Sequence, residues 1–326
     1  MRISCALRRG SIACALLLSG CGDDGVVDPG GDGDPTPPPR DQDPPTFVKA
    51  WGTRGALEGQ LVQPRGLALS PASDELYVVD SGNDRVQRFT SDGAFVATWG
   101  ATGTAPGEFF LPIGIAVDAA GNVYVADSGN DRVQKFDSEG RFLQLWQTIP
   151  GRDGLSSPQG VAVHVNGNLY VADTGNNRIV KFDASGAFLL EWGSLGIFQG
   201  EFDTPTDVAV DAMGDVYVTD FVNLRVQRFD LEGNFIDAWG RPEPDGTDFT
   251  GPQGLTVDSR SETFVCDRFK HQVRWFDSLG RELVAWGTEG TDPDRFREPW
   301  DVAADASGFI YVSDSNNDRI QKFEIP

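Results

Sequence analysis

The chain has 326 residues, a formal net charge of −22 and only two histidines. So large an acidic excess excludes recognition of nucleic-acid backbones, which depends on clustered Lys and Arg. Two histidines are also too few for the common catalytic zinc site, in which about three protein ligands usually include several His. We therefore expect no nucleic-acid partner and no zinc cofactor.

The first residues carry the features of an export signal. Arg2, Arg8 and Arg9 precede an apolar run, residues 12–18, that is too short to span a bilayer. The following LSGC, ending at Cys21, resembles a bacterial lipobox. This resemblance implies cleavage before Cys21 and lipidation of its thiol. We predict that residues 1–20 are a lipoprotein signal peptide; an ordinary signal peptide or a chance match is the alternative.

The segment after the signal is predicted to be a tether. Residues 21–46 consist largely of Gly, Asp and Pro, a composition that is typical of disordered linkers. Gly22 follows the cysteine where Asp would signal retention at the inner membrane, by resemblance to Gram-negative lipoproteins. We expect a protein of the cell envelope, in the periplasm or at the surface, that touches the outer membrane through its lipid anchor only.

From residue 47 to its end the chain repeats one pattern six times at intervals of 46 to 48 residues. Its clearest copy is residues 112–136, PIGIAVDAAGNVYVADSGNDRVQKF. Three markers keep the same register: a proline, an aspartate and a phenylalanine. The prolines are Pro64, Pro112, Pro158, Pro205, Pro252 and Pro299; the aspartates are Asp80, Asp127, Asp173, Asp220, Asp267 and Asp314. A period of this length is typical of propeller blades.

Each copy contains four short runs of β-branched and aromatic residues separated by Gly, Asp and Asn, which predicts a four-stranded antiparallel blade. The sixth copy lacks its fourth β-branched and aromatic run, whereas residues 47–52, FVKAWG, are similar in sequence to residues 95–100. We predict an all-β, six-bladed β-propeller over residues 47–326, closed by an N-terminal strand that completes the last blade. Closure removes exposed sheet edges. We expect a monomer.

The sequence of the repeated copy resembles the NHL repeat, in which P-x-G-(I/V)-A-V-D precedes V-Y-V-A-D-S-G-N-N-R-(V/I). The resemblance implies the same six-bladed fold. Related six-bladed propellers include a zinc-dependent amidating lyase, calcium-dependent lactonases and other hydrolases or lyases. In this chain His164 ends a first strand and His271 lies between a second and a third strand. The predicted blade puts them on opposite faces, so they do not share one metal ion.

Asp207 and Asp301 replace the glycine that lines the channel in the other copies. Their carboxylates are the candidate ligands for a hard cation such as Ca²⁺. The alternative is that they accept hydrogen bonds from neighbouring strand ends. A calcium-assisted hydrolase or lyase centred on the channel is therefore the second functional hypothesis.

The loop between the second and third strands is polar in four copies and departs from that pattern in copies four and five. Copy five also has Gln272 where other copies place the Arg that pairs with the blade's Asp. Apolar and aromatic residues with Arg at loop tips are typical of interfaces. We predict one contiguous binding patch formed by Phe221, Val222, Leu224, Arg268, Phe269, Lys270, His271 and Trp300.

The leading functional hypothesis is a non-catalytic binding or scaffold module for a protein or another envelope ligand, without a cofactor. The alternative for the patch is local decay of the repeat, with Phe221 and Phe269 folded down onto neighbouring loops. In that case the aromatic residues only pack.

Overall fold

The computed structural model describes residues 42–240 and 248–326, and these form six four-stranded antiparallel sheets. The predicted signal peptide, Cys21 and most of the predicted tether lie outside the described residues. Each blade runs from its innermost to its outermost strand in chain order, except the last, in which β1 is outermost. The predicted six-bladed propeller is confirmed. Among the described residues, no helix is long and apolar enough to cross a membrane.

The strands follow the predicted register of the repeat. Blade one contains β2 (Pro64–Leu69), β3 (Glu75–Asp80), β4 (Arg85–Thr90) and β5 (Phe95–Trp99). Blade two contains β6 (Pro112–Val117), β7 (Val123–Asp127), β8 (Arg132–Phe136) and β9 (Phe142–Trp146). Blade three contains β10 (Val161–Val163), β11 (Leu169–Asp173), β12 (Arg178–Phe182) and β13 (Phe188–Trp192).

The second half of the ring repeats this arrangement. Blade four contains β14 (Pro205–Val210), β15 (Val216–Asp220), β16 (Arg225–Phe229) and β17 (Phe235–Trp239). Blade five contains β18 (Pro252–Val257), β19 (Thr263–Asp267), β20 (Gln272–Phe276) and β21 (Glu282–Trp286). Blade six contains β22 (Pro299–Ala304), β23 (Phe309–Asp314), β24 (Arg319–Glu324) and β1 (Thr46–Trp51).

Short 3-10 helices connect the second and third strands of five blades: Ser81–Asn83, Ser128–Asn130, Thr174–Asn176, Arg268–Lys270 and Ser315–Asn317. In blade four the corresponding segment is a plain turn. We call the side of the ring with these loops and the connections between blades the upper face. Asn83 Nδ2 donates to Gly55 O at 2.9 Å and so joins the two kinds of segment.

A buried aspartate at the end of each second strand holds the upper face together. In blade two, Asp127 Oδ2 accepts from Arg132 Nε at 2.7 Å and from Gln134 Nε2 at 3.0 Å. Its Oδ1 accepts from the backbone amide of Phe110 at 2.8 Å, in the connection that enters the blade. The carboxylate, buried completely, therefore has several strong partners, which offset its desolvation.

Blade five keeps this aspartate but moves its cation. Gln272 occupies the usual arginine position, and Arg274 takes the usual glutamine position two residues later. Arg274 Nη1 lies 3.7 Å from Asp267 Oδ2. The sequence indicates a lost arginine at position 272, and the structure shows that its charge is supplied from position 274.

Aromatic side chains join neighbouring blades. Trp99 packs on Tyr77 of its own blade at 6.0 Å between ring centroids and on Phe136 of the next blade at 6.1 Å. The closing strand uses the same contacts, because Trp51 lies 6.3 Å from both Phe89 of blade one and Tyr311 of blade six. Strand β1 is hydrogen-bonded to β24 and so closes the ring, as predicted.

Removing β1 should destabilise the domain. A chain that begins at residue 52 exposes the edge of β24 and loses half-buried Phe47 and Trp51, together worth about 2–4 kcal/mol. We expect the melting temperature to fall by roughly 10 °C and the protein to aggregate at a lower temperature. A chain that begins at residue 46 is the control. Identical melting curves and light scattering would show that β1 does not close the ring.

Candidate functional site

The first strands of the blades surround a channel that narrows where six equivalent residues meet: Gly66, Gly114, Gly160, Asp207, Gly254 and Asp301. We call this ring of six residues the waist. Below it lies a cavity of about 310 Å³, lined mainly by aliphatic residues of the first strands. Above it, side chains of the residues that follow the marker prolines form the upper mouth, among them Trp300. The waist therefore separates two chemically different ends.

The two waist aspartates bond from blade to blade. Asp207 Oδ2 accepts from the amide of Leu255 at 2.9 Å, and Asp301 Oδ2 accepts from the amide of Leu67 at 2.8 Å. The Oδ1 atoms accept from the amides of Val208 and Val302. This is the arrangement that the sequence offered as the alternative to a metal site.

Glycine is required beside each waist aspartate because the blades approach closely there. A Cβ at Gly160 would overlap Asp207, and a Cβ at Gly254 would overlap Asp301. The alternation of Asp and Gly in blades three to six follows from this space.

Burial raises the pKa of both waist carboxyl groups. Desolvation is the main cause for Asp207, whose pKa lies well above its usual range, and the charge of Asp301 raises it further. Desolvation also raises the pKa of Asp301 to about 7, although the amides of Leu67 and Val302 oppose the shift. The pair is therefore partly protonated near neutral pH.

The waist offers two carboxylates to a calcium ion. Ca²⁺ takes six to eight oxygen ligands, and each of the four oxygens of Asp207 and Asp301 already accepts one backbone amide. In residues 42–240 and 248–326, no three His, Cys, Asp or Glu side chains are grouped as a metal site would need. His164 and His271 lie at opposite ends of their blades, after β10 and after β19.

On the upper face, the structure brings part of the predicted patch together. The rings of Phe221 and Phe269 pack edge to face with centroids 5.9 Å apart, and Phe269 remains 51% exposed. Phe269 also lies against Gly251. Val222 is exposed beside them in the same loop. The two rings thus contact each other without becoming buried.

Arginines continue this cluster to the channel. The Arg268 guanidinium lies 5.3 Å from the Phe269 ring and 4.7 Å from the Trp300 ring. The guanidinium of Arg65, from blade one, lies 4.2 Å from the centroid of the same Trp300 ring. Arg268 also forms an ion pair with Glu298. We call Arg65, Trp300, Arg268, Phe269 and Phe221 the aromatic–arginine cluster.

Three predicted patch residues have structural contacts instead. Leu224 packs into the hydrophobic cluster between blades four and five. Lys270 Nζ donates to the backbone oxygen of Asp248. His271 Nδ1 accepts from the amide of Glu298 at 3.0 Å, as Asp84 Oδ1 accepts from the amide of Leu111 in blade one.

Sequence reasoning missed two features of the upper face. Arg65 occupies the position after the marker proline, where other copies have Ile113, Gln159, Thr206, Gln253 and Trp300. The connection into blade four carries exposed Leu195, Ile197 and Phe198, whereas the connection into blade six has Glu289, Thr291 and Asp292 at these positions. Alignment of the connections would have revealed this apolar segment.

Folding stability should depend on pH through the waist. Because folding raises the pKa of Asp207 and Asp301, their contribution is fully present below about pH 4 and is lost as pH rises through the folded pKa values. We expect the melting temperature to fall less between pH 5 and 8 in Asp207→Asn/Asp301→Asn than in wild type.

The control for this measurement is Asp137→Asn/Asp183→Asn. Hydrogen bonds from their own turns lower the pKa of both residues, so they titrate below this pH window. Equal slopes in wild type and the Asp207→Asn/Asp301→Asn variant would contradict the assignment of the pH dependence to the waist.

Comparison with known families matches the NHL repeat at residues 155–182, 202–229 and 296–323. Residues 47–153 match the SMP-30/gluconolactonase/LRE-like region. No curated protein matches the chain.

Solved structures share the fold at low sequence identity. A gluconolactonase from Xanthomonas campestris is 17% identical with a TM-score of 0.63, over 87% of this chain and 98% of that one. A streptogramin B lyase is 14% identical with a TM-score of 0.60, over 85% and 97%. Catalytically inactive virginiamycin B lyase from Staphylococcus aureus with quinupristin is 15% identical with a TM-score of 0.60, over 85% and 99%. The chain is thus a six-bladed β-propeller, in which separate segments match the NHL repeat and the SMP-30/gluconolactonase/LRE-like region.

Proposed function

We propose that this protein is a binding module that recognises its ligand on the upper face. The observation that carries the proposal is the aromatic–arginine cluster, which runs without interruption from the loops of blades four and five to the channel mouth. Exposed aromatic rings beside arginine are enriched at the centres of interfaces. The regular repeat explains none of these five side chains.

The surroundings of the cluster support a ligand of some size. The exposed segment with Leu195 and Phe198 leads into blade four, which carries Phe221. Asn223 Nδ2 donates to Gly196 O at 2.8 Å, so this segment and the Phe221 loop touch. Contiguous exposed apolar surface is rare on soluble monomers and marks binding sites. A protein or another extended ligand would cover both segments.

Ligand binding should depend on the two phenylalanines. We expect Phe221→Ala/Phe269→Ala to weaken binding of neutral indole about tenfold in ligand-observed NMR, while the melting temperature changes by less than about 3 °C, because Phe269 is half exposed. Capture of partners from an envelope extract should weaken in parallel.

The matched control replaces two exposed apolar residues of the opposite face, Met213→Ala/Leu279→Ala. This variant should bind indole as wild type does. Equal loss in both variants, or no loss in either, would contradict an upper-face site.

We further propose that the module works at the cell envelope, held by lipid on Cys21. The support is the sequence alone, namely the basic start, the short apolar run and LSGC. Wild-type protein should partition into the detergent phase of a phase-separation extract and Cys21→Ser into the aqueous phase, with equal melting temperatures after cleavage of both chains to residue 42. Aqueous partitioning of wild type would refute the anchor.

A channel-centred hydrolase or lyase is the second candidate. It is favoured by two carboxyl groups with raised pKa at the edge of a 310 Å³ cavity. The discriminating assay measures hydrolysis of gluconolactone and turnover of quinupristin by wild type and Asp207→Asn/Asp301→Asn. Metal analysis of wild type and Asp207→Ala/Asp301→Ala accompanies it. Turnover lost in the first variant would favour this candidate, and stoichiometric calcium lost in the second would add a metal to it.

A further inference from the structure

We infer that Arg65, Arg268 and Trp300 form a carboxylate-binding site at the upper channel mouth, for a monoanionic ligand with an aromatic body. The inference rests on the proposed function, which places a ligand on the upper face, and it names the chemical class of that ligand. Arg65 holds the carboxylate, Trp300 orients the arginines, and Phe269 and Phe221 contact the ligand's ring.

Arg65 differs from the other arginines of the described chain. Within residues 42–240 and 248–326, every other arginine except exposed Arg297 forms an ion pair with a carboxylate. Arg65 is half-buried, and its Nε is buried without an acceptor among the described residues. A buried guanidinium N–H without an acceptor is costly. An oxyanion at the channel mouth would supply that acceptor.

The positive charge of Arg268 also favours an anion beside Arg65. Burial is the main cause that lowers the pKa of Arg65 to about 10, and the positive charge of Arg268 lowers it further. The guanidinium nevertheless stays protonated at neutral pH. Both arginines contact the same indole ring, at 4.2 Å and 4.7 Å from its centroid, so their positive charges repel each other. An anion beside Arg65 would relieve this repulsion.

The charge balance of the mouth selects a monoanion. Arg268 already pairs with Glu298, so Arg65 carries the excess charge. No carboxylate of the described residues forms an ion pair with Arg65, and Asp301 Oδ2 instead accepts the amide of Leu67. A planar carboxylate matches the guanidinium fork. A phosphate dianion would exceed the local positive charge and would be repelled by a protein of net charge −22.

The aromatic side chains define the rest of the ligand. Phe269 lies beside Arg268 at 5.3 Å from its guanidinium, and Phe221 lies beyond it at 5.9 Å between ring centroids. A ligand that extends from the channel mouth across Arg268 would place its body on these partly exposed rings. Aromatic groups pack favourably on such rings in edge-to-face geometry.

The test compares three probes by isothermal titration and ligand-observed NMR: 3-phenylpropanoate, its neutral amide 3-phenylpropanamide, and phenyl phosphate. We expect wild type to bind the carboxylate about tenfold or more tightly than the amide, as one charge-assisted bidentate contact would produce. Phenyl phosphate should bind more weakly than the carboxylate. Added salt should weaken binding of the carboxylate and leave binding of the neutral amide unchanged.

Variants separate the charge from the fold. Arg65→Gln should abolish the preference for the carboxylate over the amide, and Arg65→Lys should restore part of that preference. Arg297→Gln, which removes an exposed unpaired arginine, is the control of equal charge change and should retain wild-type preference. Melting temperatures of all variants establish that they fold.

The outcomes distinguish this inference from the proposed function. Equal binding of amide and carboxylate, lost in Phe221→Ala/Phe269→Ala, would overturn the carboxylate site and leave the upper-face module standing. Tighter binding of phenyl phosphate would overturn the monoanion assignment. If neither indole nor any of the three probes bound to the upper face, both proposals would be overturned.

Discussion

The structure depends on a buried aspartate that ends the second strand of each blade. It joins three parts of the chain that are distant in sequence: the third strand, through Arg; the intervening loop, through Asn; and the incoming connection, through a backbone amide, as Asp80 does with Arg85, Asn83 and Val62. Removing one partner from such a buried pair costs about 3–5 kcal/mol. The network therefore fixes the upper face as a rigid layer, on which side chains of single blades can vary without loss of the fold.

Blade five shows how far this layer tolerates change. Its loop has Arg268, Phe269 and Lys270 where blade two has Ser128, Gly129 and Asn130. The charge that Asp267 needs comes from Arg274, and Thr250 donates to it through both its amide and its hydroxyl. His271 replaces the usual carboxylate as acceptor for the next connection. These compensations free Arg268 and Phe269 from structural contacts with the aspartate. Local decay of the repeat would not by itself place Arg268 on Trp300 and Phe269 on Phe221.

Most of the fold follows from the sequence because the period of the repeat and the two-residue alternation within strands determine it. Strand order, blade number and closure by β1 are all consequences of register, and all are confirmed. The site follows only in part. Loop composition indicates Phe221, Arg268 and Phe269, and Trp300 stands out as a tryptophan outside its repeat position, whereas Arg65 is a single substitution at a variable position of blade one. Its contact with Trp300 depends on ring closure bringing blades one and six together, and no spacing rule within a copy reports that distance. For the same reason the bonds from Asp207 and Asp301 to the next blade were an open alternative in the sequence.

The waist and the upper mouth are adjacent layers of the channel. Asp301 directly follows Trp300 in β22, and Gly66 directly follows Arg65 in β2, so the carboxyl layer lies one residue below the arginine layer. Ionised carboxylates one residue below the arginine layer would oppose the positive charge of Arg65 and weaken its attraction for an external anion. Burial between close-packed glycines instead raises the pKa of both Asp207 and Asp301 and favours their neutral forms. The close approach of the blades at the waist narrows the channel. It also favours neutral carboxyl groups, which do not oppose the positive charge at the mouth. The proposed carboxylate site is a local exception in sign on an acidic protein, and we expect a monoanion to bind there and a dianion to be repelled.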